Sequence, residues 1–252
     1  MNRCALALLG LLALPSAVMA QEQTTFGEPP PERLPESRFS VTPYVGARVP
    51  FTTGDILLVD SQSNGYLLAY QRGGGPMAGV DVTARVTGPF HVLAGAAYSV
   101  SREDVLRLAS VDGDSLDTRR TNGPAYWFFR AGVQARLAEP NPDIRRFHPS
   151  ALITVAPALV HANWGDGDFG GASSTSFAVN LGGDAAARIG RSERWSFQLG
   201  VQDYLVFWND DDFAARDAAI GEALIGGPVS VDYQYSSSNI LTVRLGVSYR
   251  FR

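Results

Sequence analysis

Lysine is missing from this chain: all 21 of its basic residues are arginines. Arginine forks suit lipid phosphates, but a bias of genome composition is the simpler account of the absence. Cysteine occurs once, as Cys4, so no disulfide can form within the chain. Histidine occurs only as His91, His148 and His161, at spacings that match no metal or triad motif. After Ala20 no apolar run approaches the roughly 18 residues of a transmembrane helix. That excludes helical spans and leaves strands open. A net charge of −4 with no basic stripe argues against nucleic acid as a partner.

The first residues carry a targeting pattern. Arg3 precedes an apolar run from Ala5 to Leu14, and Val18-Met19-Ala20 offers small residues for cleavage, so residues 1–20 read as a signal peptide. Cys4 lies ahead of the apolar run, which does not suit a lipoprotein, and cleavage would remove it. Residues 21–38 are rich in proline and glutamate with little to bury, and are expected to be a disordered lead-in. Residues 39–252 then read as one all-β domain.

Alternation is clearest in the last segment. Leu241, Val243, Leu245, Val247, Tyr249 and Phe251 take the odd positions, and Thr242, Arg244, Gly246, Ser248, Arg250 and Arg252 the even ones. Successive strand side chains point to opposite faces, so this is a strand with one apolar side. The same pattern recurs over Phe39–Phe51, Met77–Thr87, Phe90–Ser101, Ala125–Leu137, Phe147–Val160, Ser176–Ile189 and Trp195–Trp208. Connections alternate between short turns (Thr87–Pro89, Ala138–Arg146, Gly190–Arg194) and long loops (Pro50–Pro76, Arg102–Pro124, His161–Thr175, Asn209–Ser238). An even number of strands with this rhythm suits a closed antiparallel eight-stranded transmembrane barrel, both ends on the short-turn side. Alternation alone does not say which face points inward, and a soluble ligand-binding barrel would share it.

The aromatics choose between the two. With the first strand rising, Phe90, Phe147, Trp195, Phe197, Tyr249 and Phe251 fall outward at one end. Phe51, Tyr98, Trp127, Phe129, Phe177 and Phe207 fall outward at the other. Two girdles around a Val/Ala/Leu band are the mark of a membrane barrel.

The opposite faces would then line the lumen with Arg48, Asp81, Arg85, Arg130, Gln134, Arg136, Asn180, Asp184, Arg188, Gln202 and Arg244. Eight strands enclose just enough room for side chains to fill. A polar plug braced by Asp–Arg pairs is expected, with a narrow anion-preferring channel as the alternative. Asp203 breaks the pattern by landing on the apolar face, so a β-bulge near Gln202, or a place at the outer interface, is expected.

The Tyr-x-Phe end resembles the C-terminal sorting strand of Gram-negative outer-membrane barrels. With it, Phe177-Ala178-Val179-Asn180-Leu181-Gly182-Gly183 and Phe197-Gln198-Leu199-Gly200-Val201-Gln202-Asp203-Tyr204 resemble small barrels of the OmpA/OmpX-like superfamily, within the generic outer-membrane β-barrel domain family. The resemblance implies a monomer in the Gram-negative outer membrane with periplasmic termini. Its implied partners are outer-membrane lipid, lipopolysaccharide and, through the last strand, the barrel-assembly machinery. It implies neither cofactor nor enzymatic activity, but a structural or surface-interacting role through long extracellular loops.

Some small barrels modify lipid A, so a hydrolase is a further alternative to that role. His161 with Ser173, Ser174, Asp166 and Asp168 is the one loop grouping with the residue types for it, and no motif supports it. The Asn163–Gly171 stretch is superficially like a calcium loop but lacks the terminal glutamate. In the last long loop, Asn209–Asp212 can cap a helix running on from Phe213, ended near Gly226-Gly227-Pro228.

Overall fold

A computed structural model describes residues 39–53, 55–101, 103–137, 147–165, 169, 171–189, 194–233 and 237–251. The signal peptide and lead-in expected over residues 1–38 lie outside the described residues.

Eight strands close into one antiparallel barrel: β1 (Phe39–Arg48), β5 (Gly75–Thr87), β6 (Phe90–Val100), β9 (Ala125–Arg136), β10 (Phe147–Trp164), β11 (Ala172–Ile189), β12 (Trp195–Phe207) and β14 (Ser237–Phe251). Each pairs with its neighbours in sequence order, and β1 closes the ring by pairing β5 on one side and β14 on the other. Phe39 lies opposite Phe251, so the first and last strands begin and finish at one end. We call this the terminal end and the opposite one the loop end.

Proline is accommodated where the ladder can spare a donor. Pro43 keeps its partner Val80 on β5, while pairing to β14 skips from Val41 to Tyr44 without a change of register. Pro157 does the same on β10, whose pairing to β9 skips from Val155 to Ala158. At the turn between β5 and β6, Gly88 has φ +50 and the register shifts between Arg85 and Thr87.

Strand parity sends the apolar set outward. Val45, Val155, Leu181, Leu199 and Leu245 stand exposed on the barrel's outer surface, as do all the described girdle aromatics except Phe51 and Tyr249, which are half-buried. The side chain of Phe147 lies outside the described residues.

Two boundaries differ from the sequence pattern. The first barrel strand stops at Arg48, because Pro50 cannot continue the ladder. Phe51 therefore loses the outward parity expected of it. It turns in against Tyr126, ring centroids 6.4 Å apart, and is no part of the outer girdle. β10 and β11 run on to Trp164 and back from Ala172, shortening the third loop.

The other long loops are folded. β3 (Ile56–Asp60), β4 (Gly65–Arg72), β7 (Glu103–Ser110), β8 (Ser115–Asn122) and β13 (Val229–Tyr233) make a second sheet in the order β13-β3-β4-β7-β8, with the short β2 (Phe51–Thr52) on β4. One face of that sheet packs Ile56, Leu58, Leu68, Tyr70, Leu106 and Leu108 against Ile220 of helix α1 (Ala214–Ile225). Each fully buried Leu or Ile contributes about 1.5–3 kcal/mol, which offsets the entropy of ordering the loops. The helix ends where expected, at Gly226 in the left-handed region with φ +84. Its start differs: Asp210–Asp212 form a separate 3-10 turn, and no side chain caps the helix at Phe213.

Candidate functional site

The interior is layered from the terminal end to the loop end. At the terminal mouth Arg85, Arg136 and Arg188 are half-exposed, and Arg85 donates from Nε to the Gly88 carbonyl at 3.1 Å. Just inside, Gln134 donates to Thr154 Oγ1 at 3.3 Å.

The next layer is a closed ion-pair network. Arg244 holds Asp184 with two forks, Nε to Oδ1 at 2.9 Å and Nη2 to Oδ2 at 2.8 Å, and its Nη1 reaches Asp81. Arg130 donates to Asp81 at 2.7 Å, to Asn180 at 2.8 Å and to Gln202 at 2.7 Å. Gln202 closes the circuit by donating to Asp184 at 3.3 Å. All six side chains are buried. Two carboxylates face two guanidinium groups, so the layer is neutral, the condition for burying charge at tolerable cost. Of the inward arginines, Arg130 and Arg244 join this layer.

Glycine on the neighbouring strands makes room for the network. A Cβ at Gly95 would overlap Asp81, one at Gly182 would overlap Gln202, and one at Gly200 would overlap Asp184.

Above this layer the lumen is aromatic and apolar rather than polar throughout. Tyr44, Met77, Tyr126, Phe128, Val160, Tyr204, Val206 and Ile240 are buried together. Phe128 lies 4.8 Å from Tyr204 between ring centroids, and Arg244 lies 5.0 Å below the Tyr44 ring centre. Ion pairs fill one layer of the lumen, packed rings the next.

At the loop end sits a throat of arginines. Arg48 is 1% exposed, donates to Ser101 Oγ, and lies over Tyr126 at 4.5 Å and Phe51 at 5.5 Å. Arg72 pairs with Asp104 at 2.7 Å and is sandwiched by Tyr70 at 4.1 Å and Trp164 at 4.9 Å. Arg216 of α1 reaches the other side of the same neighbourhood, 5.3 Å from the Trp164 ring.

Over the throat, Asp217 accepts from Tyr70 and, at 2.8 Å, from Tyr233. Burial pushes this carboxyl above its usual range, against the two donated bonds and the charges of Arg72 and Arg216. Burial also pushes the Tyr70 hydroxyl well up, and the Asp217 charge adds to it. At the far tip of the β3–β4 hairpin, Asp60 accepts from the Asn64 side chain at 2.9 Å, and from the Gln62 and Asn64 amides at 2.8 Å each. These bonds, the Asn64 side chain first, hold its carboxyl below the ordinary range.

Sequence reasoning named Arg48 but missed Arg72, Asp104, Trp164, Arg216 and Asp217, which lie in segments taken as loops. The continuous apolar run Ile56-Leu57-Leu58-Val59 and the alternation Leu106-Arg107-Leu108 were the available signal.

Asp203 overturns an expectation. β12 pairs without a register shift on both sides, Asp203 lying opposite Leu181 and Leu241, so no bulge occurs near Gln202. Gln202 must point inward to reach Arg130, and strand parity then turns Asp203 outward. Its carboxylate is half-buried on the outer face, and Oδ1 has no partner among the described residues.

Among the described residues, no hydrogen bond joins His161 to Ser173 or Ser174. His161 bonds Thr175 Oγ1 at 2.9 Å on the outer face, while Ser174 is buried on the inner one. Asp166 and Asp168 lie outside the described residues.

No family model matches the chain, and no curated protein matches it in sequence. Among solved structures its fold is similar to Neisserial surface protein A (NspA), at 10% identity and a TM-score of 0.42 over 84% of this chain and 97% of that one. It is similar to OprG from Pseudomonas aeruginosa at 12% identity and 0.46, over 86% and 97%. Ail, the attachment invasion locus protein of Yersinia pestis, matches at 9% and 0.38, over 86% and 99%. These are likenesses of chain path.

Proposed function

We propose that the chain is a monomeric outer-membrane barrel with a sealed lumen, working through its folded loop cap as a structural or surface-contact protein. The observation that carries this reading is the filled interior: a neutral ion-pair layer beneath a layer of packed rings, with buried Arg48 above both. A channel needs a continuous polar path, and the Phe128–Tyr204 layer interrupts it.

The membrane reading is supported by the outer surface. From Phe197 to Phe207 on β12 an outward-facing run separates exposed aromatics at both ends. Ten residue steps at strand rise, tilted as in such barrels, span about 25 Å, the height of the apolar band. An apolar belt of this extent in water would be an association surface. Both termini then face the periplasm and the cap faces outward. Tyr249 and Phe251 end β14 as a signal for the assembly machinery, and lipopolysaccharide is the nearest partner for the exposed Arg107, Arg119 and Arg120 of the cap.

Planar-bilayer recording of refolded protein tests the sealed lumen. No discrete steps are expected, and reproducible anion-selective steps would overturn it. Labelling a Ser115→Cys variant on whole cells tests the orientation, since a membrane-impermeant maleimide should reach the β8 cap strand from outside.

A further inference from the structure

Arg48 is a permanent cation, fully buried, whose only hydrogen bond to the described residues goes to a neutral hydroxyl, Ser101 Oγ. Its Nε and Nη1 find no partner there. Arginine cannot shed its proton to escape burial, and an uncompensated buried charge costs several kcal/mol. The rings of Tyr126 and Phe51 offset part of that charge through their faces, but they leave Nε and Nη1 without an acceptor among the described residues.

The surroundings share the same deficit. Arg216 Nε and Trp164 Nε1, both buried, also lack partners among the described residues, and so does the Tyr126 hydroxyl. Arg48, Arg72 and Arg216 all lie within electrostatic reach of that hydroxyl. Asp104 is taken up by Arg72 at 2.7 Å, and Asp217 by Tyr70 and Tyr233. Among the described residues of the throat, three guanidinium groups against two carboxylates leave one positive charge over. Arginine and indole N–H groups can only donate, so what would complete the throat is a single acceptor carrying negative charge.

We infer that the throat between the ring layer and the loop cap binds one small inorganic anion, of chloride's size and charge, through Arg48 Nε and Nη1 with the Tyr126 hydroxyl. A bound anion would neutralise the surplus charge and tie β1 and β9 of the barrel to the cap above them. The site is a structural bolt and requires no flux through the lumen, so its failure would leave the sealed-barrel reading untouched.

The test uses the full mature chain refolded in detergent, with chloride titrated against gluconate at constant ionic strength, and crystals grown in bromide. Chloride should raise the thermal midpoint of cap unfolding along a saturating curve. Bromide should give an anomalous peak within hydrogen-bond distance of Arg48 Nε. Arg48→Met should abolish the chloride dependence, and Tyr126→Phe should weaken the apparent affinity several-fold. Arg194→Gln, at an exposed bond to the Tyr249 hydroxyl at the far end of the barrel, should leave it unchanged. Should Arg48→Met fail to fold, Tyr126→Phe and the bromide map still decide. Equal midpoints in chloride and gluconate, or a throat without a bromide peak, would overturn the inference and leave the donors to water.

Discussion

Arg244 of the last strand grips Asp184 of β11 with both arms of its fork, across the intervening strand β12, at 2.8–2.9 Å. Both residues pair with Gly200 of β12, so the contact runs along one wall of the lumen, over a position without a side chain. Its energetic meaning depends on what is removed.

Asp184→Ala leaves two buried guanidinium groups sharing one carboxylate, Asp81, and should cost about 3–5 kcal/mol. Replacing both partners together, Asp184→Leu with Arg244→Met, should cost much less, because neither charge is then left unpaired. Urea unfolding of the protein in lipid vesicles, followed by tryptophan fluorescence, measures both. Equal losses for the single and the double variant would show that the pair contributes by shape and not by charge compensation.

The barrel was largely legible in the sequence because its information is local. A period of two over ten or more residues fixes which side chains share a face, and the Tyr-x-Phe end, the turn at Gly88 and the girdle aromatics follow from it. The partnership of Asp81 with Arg130 and Arg244 was legible as a set of inward residues but not as a geometry. Those contacts reach over an intervening strand, β6 or β1, between residues far apart in the chain. The cap was missed for a different reason: its strands run only five to eight residues each, between turn residues that also read as loop. Phe51 failed because one proline ended the parity on which it was placed.

Asp203 stands opposite Leu181 and Leu241 on the outer face, four residues below Phe207 of the loop-end girdle. At strand rise and barrel tilt that is about 10 Å inside the aromatic ring. Aspartate is penalised less than arginine or lysine at such depth but still disfavoured. Asp203→Leu should therefore stabilise the folded barrel in vesicles by about 1–2 kcal/mol. Destabilisation instead would mean that the carboxylate has a lateral partner in the membrane.

Gly226 holds the end of α1 with φ +84, and its amide donates to the Glu222 carbonyl at 2.8 Å. Alanine there must enter the left-handed region at a cost of about 1–2 kcal/mol. Because the helix belongs to the cap, Gly226→Ala should loosen amide protection in residues 214–225 and in β3 and β13, leaving the barrel strands protected as before. Hydrogen exchange resolved by peptide separates the two regions.

The cap should respond to pH with two opposite signs. Burial raises the folded-state value of Asp217, so the folded cap binds that proton more tightly than the unfolded chain does. Stability from this group then increases as pH falls through its raised value, and the gain is complete near the ordinary carboxylate value of about 4. Asp210, pushed up by burial and by the charges of Asp211 and Asp217, acts in the same direction. Asp60 is lowered, chiefly by its bond from the Asn64 side chain, so its contribution holds above about 4 and is lost as pH falls through the depressed value. Amide protection of the cap, corrected for intrinsic exchange, should rise from neutral pH toward about 4 and fall below it. Asp217→Asn should flatten the rising limb and spare the falling one, while Asp60→Asn should do the reverse. A rising limb unchanged in Asp217→Asn would show that Asp210, rather than the carboxylate between Tyr70 and Tyr233, carries the effect.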